Sequence, residues 1–329
     1  MIEPVTIRGA GVVGLCVASE LVARGVPVIL RDPAMAPGAQ ACSWWAGGML
    51  SPFCEGFSAE EPVMRLGQEA AAWWEAQGVT VHRHGSLVVT LQRDRRELDQ
   101  FARRTTGHRT VTGPELAGLE PLLADRFDRA LFFEDEAHID PRAALAHLLS
   151  RLKKAGARFE HSSEAPEGGE GRVIDCRGLA AQDVLPELRG VKGEMVVLRA
   201  PDLALQRPVR LLHPRYPLYI VPRGDGVFML GATQIESAER GRASVRSVME
   251  LLSAAYALHP AFAEAELVEI GADARPAFPD NLPRLSRKGA TLHVNGMFRH
   301  GFLLSPAVAR MAADVMQGRN QTPEFYHED

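Results

Sequence analysis

The sequence predicts an α/β protein in which a Rossmann-like nucleotide-binding domain carries an inserted antiparallel β-sheet domain. Two observations predict it. Residues 5–32 read as a short apolar strand, a glycine-rich turn, a helix and a second strand, the order of a dinucleotide-binding βαβ unit. Residues 193–230 instead hold successive β-rich runs separated by Pro and Gly turns, the pattern of an antiparallel sheet.

The glycine-rich turn follows the strand Val5–Ile7 directly and matches G-x-G-x-x-G, with the sequence Gly9-Ala10-Gly11-Val12-Val13-Gly14. In this motif the first glycine permits a tight turn, the second lets the backbone approach a pyrophosphate, and the third lets helix and strand pack closely. Free N–H groups at the start of the following helix favour the negative phosphates. The turn therefore predicts a phosphate-binding site.

The rest of the unit supports this interpretation. We expect a helix from about Val12 to Arg24, ended by Gly25, and a second strand over Val26–Leu30. Asp32, just past that strand, is placed to accept hydrogen bonds from ribose hydroxyls. The alternative is an ordinary βαβ unit whose glycines serve packing only. The motif itself does not distinguish NAD from FAD.

Further along the chain, two tryptophans stand beside two glycines in the stretch Ser43–Pro52. The glycines would let the backbone approach a flat ligand. Equally, the tryptophans would form a buried anchor beside a flexible turn. This stretch alone leaves both interpretations open.

The helices and loops that follow are predicted from caps and periodicity. Ser58-Ala59-Glu60-Glu61 predicts a capping box that opens one helix running to Trp74. Asp140-Pro141 predicts a helix start with Asp as N-cap. Near the end we expect Arg275-Pro276 in a rigid loop and a final helix over Pro306–Gln317.

Composition limits the classes of protein to consider. Hydrophobic residues make up 46% and charged residues 24% of the 329 residues, and the net charge is −4. These values indicate a globular protein and give no electrostatic reason to expect nucleic acid or an anionic membrane surface. Four scattered cysteines without a C-x-x-C pair argue against a metal site and against a disulfide framework. With a strand already at Val5, we expect no signal peptide and a reduced, cytoplasmic protein.

Several blocks together carry a resemblance. They are Gly9–Gly14, Ala46–Pro52, Val191–Glu194, Leu218–Arg223, Leu230–Thr233, Arg275-Pro276, Asp280–Pro283 and Phe298–Ala307. In these blocks, and in their order, the chain resembles the D-amino-acid-oxidase-type flavoproteins, most closely the glycine oxidases of thiamine biosynthesis. The resemblance implies FAD rather than a nicotinamide cofactor. Some relatives tether the flavin through a C-terminal Cys; no Cys follows Cys176, so we expect non-covalent FAD.

The resemblance also implies roles for individual residues. Arg275 falls on the carboxylate-binding arginine of the family, and a guanidinium fork matches a carboxylate. Tyr219 falls on the active-site tyrosine. Arg299 either contacts flavin or substrate or forms a salt bridge that orients its loop. The residues expected at the cofactor are Gly9, Gly11, Val12, Val13, Gly14, Asp32, Ala46, Gly47, Gly48, Met49, Arg299, His300, Gly301, Phe302 and Leu303. For His138, a structural role at a strand end is favoured over a catalytic one, and for His300 the sequence leaves both alternatives open.

The implied reaction is oxidative deamination of glycine or another small amino acid. Hydride leaves Cα of the neutral amine for flavin N5 without a side-chain base, O₂ reoxidises the flavin to give hydrogen peroxide, and the imine feeds thiazole assembly or hydrolyses to glyoxylate. Substrate and O₂ are thus the small-molecule partners, and the resemblance admits a homo-oligomer and hand-over to a thiazole synthase. We expect residues 1–82, 134–185 and 266–329 in the FAD-binding domain and residues 83–133 and 186–265 in the substrate-binding domain.

Alternatives remain at this point. A sarcosine or D-amino-acid oxidase or dehydrogenase of the same fold would differ only in substrate turnover. A non-catalytic flavin-binding protein would bind flavin that no small amine reduces. A nicotinamide dehydrogenase is disfavoured because the later blocks match flavoproteins.

Overall fold

The chain alternates between two β-sheets. The computed structural model describes residues 3–34, 36–162, 172–214 and 217–328. Its strands are β1 Val5–Arg8, β2 Val28–Asp32, β3 Met49–Leu50, β4 Ser86–Thr90, β5 Arg109–Thr112, β6 Arg129–Phe133, β7 Ala137–His138, β8 Arg158–His161, β9 Arg172–Asp175, β10 Arg189–Arg199, β11 Val209–Leu212, β12 Leu218–Pro222, β13 Val227–Gly231, β14 Ile235–Glu236, β15 Glu266–Ala277, β16 Arg284–Lys288, β17 Thr291–Asn295 and β18 Tyr326–His327.

Helices cover and connect these sheets. They are α1 Val12–Ala23, α2 Pro52–Glu55, α3 Glu61–Gly67, α4 Ala70–Ala76, α5 Arg95–Arg104, α6 Gly113–Leu119, α7 Pro141–Lys154, α8 Val245–Leu258 and α9 Gly301–Met316. Short 3₁₀ turns lie between some of them, including one over Cys42–Trp45.

The first sheet has the strand order β18-β16-β17-β9-β1-β2-β8. All neighbours are parallel except β16 and β17. The helices α1, α4, α7 and α9 contribute buried apolar residues to its core, and α1 packs against α9. The predicted βαβ unit is therefore present: Val5–Arg8, Val12–Ala23 and Val28–Asp32 lie within a few residues of the expected bounds.

The second sheet follows the order β14-β10-β13-β12-β11-β4-β6-β5, and β15 pairs with β10. Its pairs are antiparallel except β11 with β4. The predicted Rossmann-like domain with an antiparallel sheet is confirmed, with this one parallel pair as an exception. Residues 266–277, expected in the first domain, form a strand of the second sheet. How the chain divides into domains stays a prediction.

Two local predictions are wrong. The segment after Ser58 forms two short helices with a break between Gly67 and Ala70, and Glu60 rather than Ser58 is the N-cap. Arg275-Pro276 lies inside β15 and not in a loop. Proline is tolerated there because, within the part of the chain that the structure describes, β15 pairs only with β10 and so lies at a sheet edge.

The last helix also begins earlier than expected. It starts at Gly301, so Pro306 is inside the helix and not at its first turn. A proline has no N–H and leaves the carbonyl four residues earlier, here that of Phe302, without its helical partner. Trp74 Nε1 donates to that carbonyl at 2.9 Å. The helix continues through Pro306 because a side chain from α4 replaces the missing donor.

Candidate active site

A cavity of about 560 Å³ runs between the two sheets. Its walls come from the turn after β1, from the loop over residues 40–49, from β11, β12 and β15, and from the segment that enters α9. Every predicted site residue except Gly14 lines this cavity. The structure therefore brings together residues that are almost 300 positions apart in the sequence.

The glycine-rich turn has the geometry that its motif predicts. Gly9 has φ +97°, a conformation that favours glycine. A β-carbon on Gly14 would lie 1.9 Å from the Gly9 carbonyl oxygen and 3.5 Å from Ile7 Cγ2. Gly14 thus serves the close contact of helix and strand, which explains why it does not face the cavity.

The start of α1 leaves donors for an anion. It has no acidic residue in its first turn. Ser43 Oγ accepts from the Val12 N–H at 3.1 Å, whereas the N–H groups of Gly11 and Val13 meet no acceptor among the described residues. Asp32 accepts from the Ala10 N–H at 2.7 Å through Oδ2 and from the Ala34 N–H through Oδ1. Each carboxylate oxygen has a second lone pair, so ribose hydroxyls remain acceptable partners.

The start of α9 presents a second set of donors to the same cavity. The N–H groups of Gly301, Phe302 and Leu303 meet no acceptor among the described residues. Burial lowers the pKa of His300, the N-cap residue, to about 4, although Glu55 opposes this effect. The imidazole is therefore neutral at pH 7, and the positive potential at this helix end comes from the helix dipole and from neighbouring arginines such as Arg299.

A half-buried arginine holds the loop between these two helix ends. Arg223 donates to the carbonyl oxygens of Ile139 at 2.8 Å, Ala46 at 3.1 Å and Gly47 at 2.8 Å. Its burial lowers its pKa to about 10. Arg223 belongs to a motif block, but no pattern in the sequence predicts this role. It fixes the backbone on which Gly48 and Met49 line the cavity.

The tryptophans of this loop have the structural role that was one of the two interpretations. Trp45 packs with Met195 and Met229 in a small buried cluster. Its Nε1 donates to the Ala39 carbonyl at 3.1 Å. Trp45 and the nearby Gly47 and Gly48 also line the cavity. Trp45 is therefore both a buried anchor of the loop and part of the cavity wall.

Seven arginines of the described chain line the cavity, and six of them pair with a carboxylate. The pairs are Arg8–Asp175, Arg31–Glu160, Arg177–Asp175, Arg210–Glu55, Arg240–Asp273 and Arg299–Glu55. Arg275 is the seventh, and no carboxylate of the described residues is within 4.0 Å of it. Among the described residues, its Nη1 donates to the Thr233 carbonyl at 3.2 Å and to no other acceptor. Among 33 arginines in the sequence, this contrast singles out Arg275.

Tyr219 lies close to this guanidinium and to the loop that contains Gly47. It pairs with Gly231 across β12 and β13, and a β-carbon on Gly47 would be 3.4 Å from its hydroxyl oxygen. Burial lowers the pKa of Arg275, and Tyr219 has the largest effect in the opposite direction. The hydroxyl has no hydrogen-bond partner among the described residues, so it is available to a ligand.

Arg299 is held by an acid. Its Nη2 lies 2.7 Å from Glu55 Oε2 and donates to Ser58 Oγ at 2.7 Å. Arg210 Nη2 donates to Glu55 Oε1 at 2.8 Å. The salt bridge that was the alternative for Arg299 is present, and its contact with flavin or substrate stays a prediction. Sequence reasoning missed Glu55 and Arg210 because neither belongs to a local motif.

His138 lies outside this site. It is on β7, buried, and its ring stacks on His82 with centroids 4.8 Å apart. It does not line the cavity. Within the part of the chain that the structure describes, no cluster of His, Cys, Asp or Glu could hold a metal ion, and no helix there has the length and apolar character needed to span a membrane.

Comparison with known proteins adds a family. The model of the FAD dependent oxidoreductase (DAO) family matches residues 4–315. The chain belongs to this family. Its predicted dependence on FAD is thereby confirmed, and the nicotinamide alternative is excluded. The cavity fits FAD because two helix N-termini, whose N–H groups meet no acceptor among the described residues, line the same space, and such helix ends bind phosphate and other negative groups.

Relatives of known sequence cover nearly the whole chain. A Rhizobium etli protein with the provisional name thiamine biosynthesis oxidoreductase ThiO is 52% identical over 97% of this chain and 98% of its own length. The glycine oxidase of Geobacillus kaustophilus is 28% identical over 95% of this chain and 92% of its own. The bifunctional protein ThiO/ThiG of Trichormus variabilis is 24% identical over 99% of this chain, which spans 54% of that protein.

Solved structures agree on the fold. The crystal structure of the Geobacillus glycine oxidase superposes with a TM-score of 0.79 over 97% of this chain and 96% of that one. The iminodiacetate oxidase of a Chelativorans species gives a TM-score of 0.81 at 23% identity, over 98% of this chain and 99% of that one. Both matches extend over both sheets.

Proposed function

We propose that this FAD-dependent oxidoreductase oxidises glycine to its imine, with O₂ as electron acceptor, and that the imine serves thiazole formation in thiamine biosynthesis. The observation that carries the proposal is the unpaired Arg275. A guanidinium without a carboxylate partner, beside a hydroxyl without a hydrogen-bond partner, is a site for a small carboxylate. An amino acid is the substrate class that brings one.

The substrate carboxylate would bind Arg275 and accept a hydrogen bond from Tyr219. Because burial removes competing water, a charge-assisted pair of this kind orients the substrate strongly. Six neighbouring arginines are already paired, so they do not compete for the carboxylate. The amine and Cα are then directed away from β15 into the cavity.

FAD, when bound, supplies the two-electron acceptor and its reoxidation by O₂. The residues that would hold it are the turn Gly9–Gly14, Asp32, the loop Ala46–Met49 and the segment Arg299–Leu303. The N–H groups at the start of α9 would stabilise negative charge in their vicinity. No side chain is assigned as a base, and the low pKa of His300, about 4 because of its burial, makes its imidazole a weak one.

The choice of glycine and of thiamine biosynthesis is supported by the relatives. The 52% identical Rhizobium protein carries a thiamine-biosynthesis name, and other relatives are glycine oxidases. In the Trichormus relative an oxidoreductase region that matches this chain is joined to ThiG. We infer from that fusion that the unstable imine passes to a thiazole synthase before it hydrolyses to glyoxylate.

Steady-state turnover tests the proposal. Hydrogen peroxide formation would be measured with glycine, sarcosine and D-alanine in the wild type and in Arg275→Met. We expect glycine to be turned over, and the variant to lose about a hundredfold or more in kcat/KM, the value of two charge-assisted hydrogen bonds. Arg93→Met, an exposed arginine on the 3₁₀ turn before α5, is the matched control and should behave as wild type. Peroxide from sarcosine or D-alanine but not from glycine would refute the substrate assignment.

A further inference from the structure

One acid holds two arginines at the wall of the cavity near Arg275. Glu55, on α2, is 7% exposed and contacts Arg210 through Oε1 at 2.8 Å and Arg299 through Oε2 at 2.7 Å. All three residues line the cavity. We propose that Glu55 restricts the substrates to small amines with a single carboxylate, because it occupies the two guanidinium groups that a second carboxylate would need.

The backbone fixes Glu55 in this position. Its carbonyl accepts from the N–H groups of Ser58 at 3.0 Å and Ala59 at 2.8 Å, and its own N–H donates to Ser51 at 3.3 Å. The carboxylate is thus built in by the α2 turn and is not a mobile surface group. Although burial opposes ionisation, Arg299 and Arg210 hold the pKa of Glu55 well below its usual range.

Arg210 Nε and Arg299 Nε are buried and have no hydrogen-bond partner among the described residues, so Glu55 does not saturate these two guanidinium groups. Without Glu55, these arginines and Arg275 would form two separate cationic positions in one cavity, the arrangement that a dicarboxylic amine requires. With Glu55 in place, a second carboxylate would have to displace it or lie beside its negative charge.

This inference rests on the proposed function, since it takes Arg275 as the site of the first carboxylate. It adds the class of compound that the site excludes, which is amines with two carboxylates. Sarcosine and iminodiacetate are both secondary amines, and they differ in one carboxylate. Glu55 therefore discriminates between the two compounds by the second carboxylate, whereas Arg275 binds the carboxylate that both have.

Binding to the oxidised holoenzyme tests this without turnover. The probes are methoxyacetate and oxydiacetate, ethers that replace the amine of sarcosine and iminodiacetate, and the readout is perturbation of the flavin absorbance. We expect wild type to bind methoxyacetate more tightly. In Glu55→Gln the ratio of the two dissociation constants should shift toward oxydiacetate by about tenfold or more, the value of one charge-assisted hydrogen bond.

Two further variants keep the test decisive. Glu55→Asp retains the charge and should keep the wild-type preference. Glu120→Gln removes another buried acid, paired with Arg207 at 3.0 Å and outside the cavity, and should leave the ratio unchanged. Should Glu55→Gln fail to fold, the wild-type ratio still decides, because tighter binding of oxydiacetate by wild type overturns the proposal.

The outcome is separable from that of the proposed function. If glycine does not reduce the flavin but the binding ratios shift as expected, the glycine assignment falls and the role of Glu55 stands. If glycine reduces the flavin and the ratio in Glu55→Gln equals that of wild type, the role of Glu55 is refuted and the proposed function stands.

Discussion

The guanidinium of Arg275 occupies the space that a side chain at residue 193 would fill. A β-carbon on Gly193 would lie 2.1 Å from Arg275 Nη2 and 2.4 Å from Cζ. The two residues are on the paired strands β10 and β15, where Val191 is opposite Arg275. Glycine at this position therefore lets the arginine lie across the neighbouring strand and reach the cavity.

We predict that Gly193→Ala displaces Arg275 and weakens carboxylate binding. The expected loss in kcat/KM for glycine is about tenfold or more, mainly through KM, because a charge-assisted contact is lost while the reacting groups are unchanged. Gly118→Ala is the matched control, since a β-carbon there meets nothing within 4 Å. Unchanged KM in Gly193→Ala would contradict this account of Arg275.

Tyr219→Phe should remove the second contact to the carboxylate. We expect KM for glycine to rise about tenfold, the value of one hydrogen bond to a charged group, while FAD binding is retained. Tyr256→Phe, at an exposed position on α8, should leave KM as it is in wild type. Steady-state kinetics and a spectral titration with acetate check both effects; equal acetate affinity in Tyr219→Phe and wild type would refute the contact.

His138 makes stability depend on pH. Burial, and secondarily the charge of His82, lower its pKa to about 3, against about 6.5 in the unfolded chain. Below pH 6.5 the unfolded chain therefore binds a proton at His138 and the folded protein does not. The contribution of His138 to the free energy of unfolding is complete above that pH and is lost below it. Between pH 6.5 and 5 the free energy of unfolding decreases by about 2 kcal/mol.

Urea unfolding at pH 7 and pH 5, at one FAD concentration, measures this difference. The decrease in the free energy of unfolding from pH 7 to pH 5 should be smaller in His138→Asn than in wild type, since the variant lacks the titrating group. His327→Asn, at an exposed position, should lose as much as wild type. The same loss in all three proteins would show that His138 is not the cause.

The pair Trp74 and Pro306 predicts a coupling in stability. Trp74→Phe leaves the buried Phe302 carbonyl without a donor and should cost about 1–3 kcal/mol for that group. In Pro306→Ala the backbone N–H of residue 306 restores the helical partner. We therefore expect Trp74→Phe to cost less in the Pro306→Ala background. Additive losses in the double variant, measured by urea unfolding, would contradict the replacement of one donor by the other.

Local patterns predicted the parts of this fold that depend on local sequence. Residues 5–32 formed the expected strand, helix and strand because periodicity and glycine spacing act within that segment. The predicted start of the last helix, at Pro306, was wrong. Proline is typical of the first turn of a helix, but this helix begins five residues before Pro306. It does so because Trp74, far away in the chain, supplies the missing hydrogen bond.

Resemblance to a family placed Arg275 and Tyr219, and the structure brings them into one cavity with the cofactor residues. It could not place Glu55, Arg210 or Arg223. Arg210 meets Glu55 across 155 positions and Arg223 meets Gly47 across 176 positions. Such contacts follow from the packing of the two sheets, and no spacing in the sequence encodes them.

The most direct test is the visible spectrum of the purified holoenzyme under anaerobic conditions, before and after addition of glycine, in wild type and in Arg275→Met. We expect the oxidised-flavin band of wild type to bleach and that of the variant to persist on the same timescale. A wild-type band that glycine leaves intact, or an Arg275→Met band that bleaches at the wild-type rate, would contradict the central claim that Arg275 binds glycine for oxidation.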